Sequence, residues 1–263
     1  MIAVTPGPHL TVVFQPQIEL PSLLVGGHEV LLRTVGADGA VGAPADLLAM
    51  VNAMPRAAQI FHHRRILKFV LAAAKRVVQS TGSRASVNVP PMLLDDSDTM
   101  DHLLRTGGVG VTLELLENAA FDASTANNAI EVLAAAGYRI AVDDFGVGFA
   151  SPAMLLNLRG VYHAKIDRSF LANKTPAGRS VFRALCGVVK ARGMKLLVEG
   201  VETAEDHEAC LDVGADCVQG FWYGCPSSKP LNARRWNAAV APTAFAARAW
   251  HCGGEHGSIA MAG

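Results

Sequence analysis

Short apolar runs recur along this chain, most of them followed by a longer stretch whose apolar positions return at three- and four-residue spacing. Thr11 to Leu20 reads as a strand with Pro16 inside it, and His28 to Thr34 as a second apolar strand carrying Glu29. A Gly- and Ala-rich linker, Val35 to Ala43, leads to a short helical stretch from Pro44 to Met54, with Pro44 suited to a first turn. From Phe61 to Gln79 the spacing of Ile66, Phe69, Val70, Ala73 and Val77 predicts an amphipathic helix. His62 and His63, beside Arg64 and Arg65, read as the solvated polar start of that helix.

A regular alternation follows. Predicted strands at Ala85–Val89, Val109–Leu115, Tyr138 to Asp143, Tyr162–Ile166, Lys195–Val198 and Ala215–Val218 are separated by helical patterns. Those patterns run through Leu104, over Ala126–Ala136, near Met154–Leu158, over Arg179–Arg192 and over Ala204–Val213. Strand and helix in turn imply a parallel sheet. The polar residues within it are placed regularly: Asn88, Glu114, Asp143, Lys165, Glu199 and Gln219 lie at or near the carboxyl ends of their strands. In a closed barrel those ends converge on one face, where barrel enzymes hold their chemistry. An open doubly wound sheet is the alternative, but it usually carries a Gly-rich phosphate turn after its first strand, and none is found here.

Composition narrows the function. The 263 residues suffice for one barrel-sized domain or two ordinary ones; a single barrel is expected over residues 1–240, with an Ala- and Gly-rich tail over 241–263 that has little to pack against. Formal charge balances to zero and basic runs are short, so no DNA or RNA phosphate track and no anionic membrane surface is expected as partner. Five cysteines without Cys-x-x-Cys spacing argue against a disulfide framework and a thiolate zinc site, and a cytoplasmic location is expected. No run of eighteen apolar residues occurs that would form a membrane segment.

The centre of the pattern is Ala141-Val-Asp-Asp-Phe-Gly-Val-Gly-Phe149, an apolar run that stops on two adjacent acids and opens into a glycine-bearing loop. Two acids leaving a buried strand need a cation, a hydrogen-bond network or water; a metal is the first candidate, and capping of the next helix is the other. The cluster Glu29, Asn88, Glu114, Asp143 and Asp144 offers only hard oxygen donors, which select Mg²⁺ or Mn²⁺ over zinc. Lys165, Asp167, Glu199, Glu202 and Gln219 add polar groups near the same strand ends. Adjacent aspartates can hold two ions a few Å apart, an arrangement suited to phosphodiester hydrolysis, with a lysine at the rim to hold water or neutralise charge.

Together these residues resemble the EAL-domain family of cyclic di-GMP phosphodiesterases. The resemblance runs in order through Phe14-Gln-Pro-Gln17, Glu29-Val-Leu-Leu-Arg33, Val87-Asn-Val89, Leu113-Glu-Leu-Leu-Glu117, Asp143-Asp-Phe-Gly-Val-Gly148, Lys165-Ile-Asp-Arg-Ser-Phe170, Glu199-Gly-Val-Glu-Thr203 and Gln219-Gly220. It implies a TIM-like (β/α)8 barrel with the first strand antiparallel, a pair of Mg²⁺ or Mn²⁺ ions, and hydrolysis of cyclic di-GMP to linear pGpG. Carried over, Glu29, Asn88, Glu114 and Asp143 are metal ligands, and Asp144 serves the second ion. Lys165 positions water, and Glu199 is a base or binds metal-held water. Gln15 and Arg33 contact the dinucleotide, and Gln219 lines the site. Glu117, Asp167 and Glu202 support the ligands from behind, with Glu117 bracing the loop after Asp144. The resemblance also implies a homodimer and a loop that couples dimerisation to metal binding; a partner protein is a further possible source of regulation. The runner-up reading is a receptor or protein-binding module without turnover.

The chain departs from the family pattern at several points. Val30 replaces an alanine beside Glu29, Pro90 a serine, Leu116 a threonine, and Val147 a threonine or serine in the loop after the aspartates. One extra residue falls near Arg159-Gly160, Tyr162 and His163 stand where an acid precedes the lysine, and Asn52 stands near a missing glutamate. Asp144-Phe-Gly146 spells a kinase signature without its companion loops, and His251, Cys252 and His256 offer stray donors in the tail.

Overall fold

A computed structural model describes residues 9–116, 123–148, 150–232 and 236. The tail expected at 241–263 lies outside them. Eight strands close a barrel: β1 (His9–Glu19), β2 (Leu24–Val35), β4 (Arg84–Val89), β5 (Val111–Leu115), β6 (Arg139–Phe145), β7 (His163–Ile166), β8 (Lys195–Val198) and β9 (Cys217–Val218). A two-residue strand, β3 (Val41–Gly42), hangs on the end of β2 as a hairpin. From β2 onward the barrel strands pair in parallel, whereas β1 runs antiparallel to both its neighbours, β2 and β9. This is the expected TIM-like barrel with a reversed first strand. The reversal follows from the short connection: β1 and β2 are joined by a tight turn at Glu19–Leu24, too short for a parallel crossover.

Helices sheathe the barrel: α1 (Ala45–Asn52), α2 (Arg56–Thr81), α3 (Ser97–Thr106), α4 (Ala123–Ala135), α5 (Pro152–Asn157), α6 (Arg168–Ala172), α7 (Pro176–Ala191) and α8 (Ala204–Asp212). A 3₁₀ turn at Pro91–Asp95 precedes α3. The core lies between strands and helices, where Val87, Leu113, Ile140, Ala164 and Leu196 meet Leu67, Leu71, Leu103 and Val189.

The long helix corrects one expectation. It starts at Arg56, so His63 falls on its inner stripe with Leu67, Val70, Leu71, Ala74 and Val77. His63 is buried, its Nε2 is 2.9 Å from Asn52 Oδ1, and burial lowers its pKa. Phe69, counted as a core position, is exposed. Val30, beside Glu29, packs into the apolar layer, as alternation along a strand requires of Glu29's neighbour.

Candidate active site at the barrel mouth

Alternation along the strands decides which side chains fill the barrel, because every second residue points inward. On β7 these are His163 and Lys165, and the mouth residues of the other strands converge on Lys165, which is only 1% exposed. Its Nζ lies 2.8 Å from Asp143 Oδ1, 2.8 Å from Glu199 Oε1, 3.0 Å from Glu114 Oε2 and 3.8 Å from Glu29 Oε2. Asn88 Nδ2 donates to Glu29 Oε1 at 3.1 Å. Gln219 Nε2 donates to Glu29 Oε2 at 2.6 Å and Gln15 Oε1 at 3.1 Å, while Gln17 Nε2 donates to Gln219 Oε1 at 3.0 Å. A polar net therefore ties β1, β2, β4 and β9 behind the carboxylates.

The two aspartates do not end the strand, as the sequence suggested. Both lie within β6, which runs on to Phe145, and its pairing with β7 slips between Val142 and Phe145. At the slip Asp144 takes a left-handed φ of 48°. A bulge of this kind redirects successive side chains; Asp143 points to the buried lysine, and Asp143 and Asp144 both line the mouth.

Four carboxylates around one ammonium leave an excess of negative charge in a dry site. Burial pushes Glu114 up to about 8, against the pull of Lys165 and with help from Glu29 and Asp143. Burial likewise holds Glu199 well above the carboxylate range. Burial disfavours the charged form of Lys165 too, but Asp143, Glu114, Glu199 and Glu29 outweigh it and hold the ammonium well above its ordinary value. Such a cluster suits hard divalent cations, and two oxygens wait for a partner: Asn88 Oδ1 and Glu114 Oε1 are buried with no hydrogen bond. Asp143, Asp144 and Glu199 each offer an oxygen within 4.8 Å of the others.

A cavity of about 380 Å³ opens in front of this cluster, and Gln15, Glu29, Asp143, Asp144, Lys165, Asp167, Glu199, Glu202 and Gln219 all line it. Asn88 and Glu114 stand behind. Arg33 is not among the lining residues; its guanidinium donates to Leu32 O at 2.8 Å. Glu117 lies outside the described residues. Asp167 accepts from Ser169 N at 2.9 Å as the cap of α6. Arg168, quoted within Lys165-Ile-Asp-Arg-Ser-Phe170 but given no role, and Phe221, outside every quoted motif, share the wall. For Phe221 the available signal was its place directly after the quoted Gln219-Gly220. Gly220 lets the β9 turn approach closely, for a Cβ there would meet Val201 O at 2.1 Å.

The description of the EAL domain matches residues 5–226. This chain belongs to the EAL domain family. Among curated relatives, the EAL chain is 27% identical over 210 residues to the "Probable cyclic di-GMP phosphodiesterase PdeA" of Escherichia coli K12, covering 76% of this chain and 28% of that protein. It is 31% identical over 251 residues to an "Uncharacterized signaling protein" of Caulobacter vibrioides, covering 90% of this chain and 30% of the other. The chain thus spans under a third of the length of these relatives. Of solved structures, it resembles the "PaMucR Phosphodiesterase, c-di-GMP complex" with a TM-score of 0.71 and 26% identity, over 83% of this chain and 92% of the other. The FimX EAL domain from Pseudomonas aeruginosa, solved bound to c-di-GMP, shares the fold with a TM-score of 0.72 and 21% identity, over 84% and 91% of the two chains. No helix among the described residues is long and apolar enough to cross a membrane.

Proposed function

We propose that this EAL domain is a metal-dependent phosphodiesterase that opens cyclic di-GMP to linear pGpG. The observation that carries the reading is the buried convergence of Glu29, Glu114, Asp143 and Glu199 on Lys165, with unpartnered oxygens on Asn88 and Glu114 at the same mouth. Relatives named as cyclic di-GMP phosphodiesterases support the substrate class.

In this account Glu29, Asn88, Glu114 and Asp143 hold one Mg²⁺ or Mn²⁺, and Asp144 holds a second. When bound, the ions lower the pKa of water and neutralise charge on the phosphodiester. The chain's own groups do the rest. Lys165 orients the attacking water and balances charge as the phosphorus gains a fifth oxygen; the bond to the ribose 3′-oxygen then breaks, and that oxygen leaves as a hydroxyl with a proton from solvent. Glu199 accepts the proton lost by that water. Gln15 and Gln219 line the substrate side of the net, Arg33 reaches the dinucleotide once it is bound, and Glu117, Asp167 and Glu202 brace the ligands.

The test is a substrate panel run on Asp143→Asn and Glu29→Ala variants beside the unaltered chain. Turnover of cyclic di-GMP should fall at least about 10²-fold in each, with circular dichroism unchanged. Rates like those of the unaltered chain in either variant would remove the metal assignment, and faster cleavage of another phosphodiester would reassign the substrate. A receptor without turnover is the second reading. It is favoured by Lys165 itself, which answers part of the carboxylate charge without any ion, and it requires binding of cyclic di-GMP with no pGpG formed.

A further inference from the structure

The opposite end of the barrel holds a second cavity, of about 300 Å³, that shares no lining residue with the mouth. Strand parity explains it. Below the catalytic layer four inward positions carry small side chains, Ser86, Thr112, Ala141 and Cys217, beside the larger Gln17 and Leu197, and the barrel's amino-terminal end is left incompletely filled. The inward residues that start β4, β6 and β7 are Arg84, Arg139 and His163, and all three line this space.

The two guanidinium charges are unanswered. Among the described residues neither Arg84 nor Arg139 forms a salt bridge, and burial first, then the charge of Arg139, lowers the pKa of Arg84. Arg84 Nε is buried without a partner, and Arg84 Nη2 reaches only Val111 O, at 3.5 Å. His163 is 92% buried, and its Nε2 also has no partner. Arg139 is held by stacking, its Cζ 3.9 Å from the centre of the Tyr162 ring. Of the other lining charges, Lys195 and Asp216 cancel as a pair at 2.7 Å, and Glu19 is exposed at the rim. Two guanidiniums and an imidazole nitrogen thus face a cavity with donors to spare. Like charges kept together in a partly dry site call for an anion between them.

We propose that this amino-terminal cavity is a binding site for a phosphate group, free or at the end of a phosphomonoester, held by Arg84, Arg139 and His163. Donors from three strands suit a tetrahedral anion better than a planar carboxylate, which presents oxygens in one plane. Neutral His163 serves as an N–H donor, since burial and the nearby Lys165, Arg139 and Arg84 hold its pKa at about 3.

Isothermal titration of the full chain with inorganic phosphate, in excess chelator, tests the site apart from catalysis. The mouth is then acidic and metal-free, and repels anions. Saturable binding is expected, weakened about tenfold or more in Arg84→Gln and in Arg139→Gln and unchanged in Glu114→Gln at the mouth. Glycerol phosphate is titrated alongside; tighter binding than inorganic phosphate would mark a monoester as the natural occupant, and the reverse would mark the free ion. Each arginine variant is checked for an unaltered far-ultraviolet spectrum and for the cyclic di-GMP turnover of the unaltered chain, so that loss of binding is not loss of fold. No saturable binding, binding that persists in both folded arginine variants, or acetate binding as tight as phosphate would overturn the proposal.

Discussion

Lys165 is the residue on which the mouth depends, because it is the cation that the four carboxylates share. Removing one partner of a buried ion pair costs far more than the pair contributes, since the remaining charge is left unanswered. Lys165→Met in chelator at neutral pH is therefore expected to lose about 3 kcal/mol of stability in urea denaturation. Much of that loss should return on adding Mg²⁺, which would replace the missing charge. An equal loss with and without Mg²⁺ would mean that the carboxylates do not hold the ion.

A second residue-scale effect belongs to His163, held at about 3 by burial. Between the ordinary histidine pKa of about 6.5 and 3, the unfolded chain takes up a proton that the folded chain refuses. Stability should thus be full above about pH 6.5 and fall as pH drops, by up to about 1.4 kcal/mol per pH unit for this one group. His28, lowered to about 4 by burial, adds to the same limb. His163→Gln should give a shallower decline between pH 6.5 and 5 than the unaltered chain, measured by chemical denaturation.

At the scale of elements, the bulge in β6 is what turns one strand into two ligand positions. Gly146, just after it, has a φ of 103°, and a Cβ there would meet Phe170 of α6 at 2.6 Å. Gly146→Ala combines backbone strain with a clash and should destabilise the chain by about 1–3 kcal/mol. It should also lower turnover more than a plain stability loss would, because it displaces the Asp144 turn. At the other rim, Thr203 and Asp206 form a capping box at the start of α8, and Asp206 also binds Lys174. Thr203→Ala is expected to cost about 1 kcal/mol in thermal or urea unfolding and to leave the mouth intact.

The strands and most helices were legible because their apolar periods are clean. Lys195–Val198 was read to the residue, and α8 to within one. The bulge was not legible, since two adjacent acids after an apolar run look like a strand end until pairing with β7 shows the slip. The buried face of His63 was hidden for a similar reason. Its inward position depends on where α2 begins, and Arg56 to Ile60 carry a weak apolar signal.

For the molecule as a whole, the strand-end acids pointed to the barrel and its mouth, because inward parity and carboxyl-terminal placement are both visible along single strands. The reversed first strand came only through the family resemblance. The basic cavity at the opposite end could not be read, for Arg84, Arg139 and His163 look like ordinary strand-start polar residues until the closed sheet turns all three inward. One barrel thus carries an acidic mouth and a basic floor, separated by Lys165 and the layer of Gln17, Ser86, Thr112, Ala141, Leu197 and Cys217.

The most direct test of the account is formation of linear pGpG from cyclic di-GMP by the purified chain, followed with Mg²⁺, with Mn²⁺ and with excess chelator. Product that accumulates with either ion and stops with chelator is the expected result. Absence of product with both ions at high protein concentration, in a chain shown to be folded, would contradict the phosphodiesterase reading.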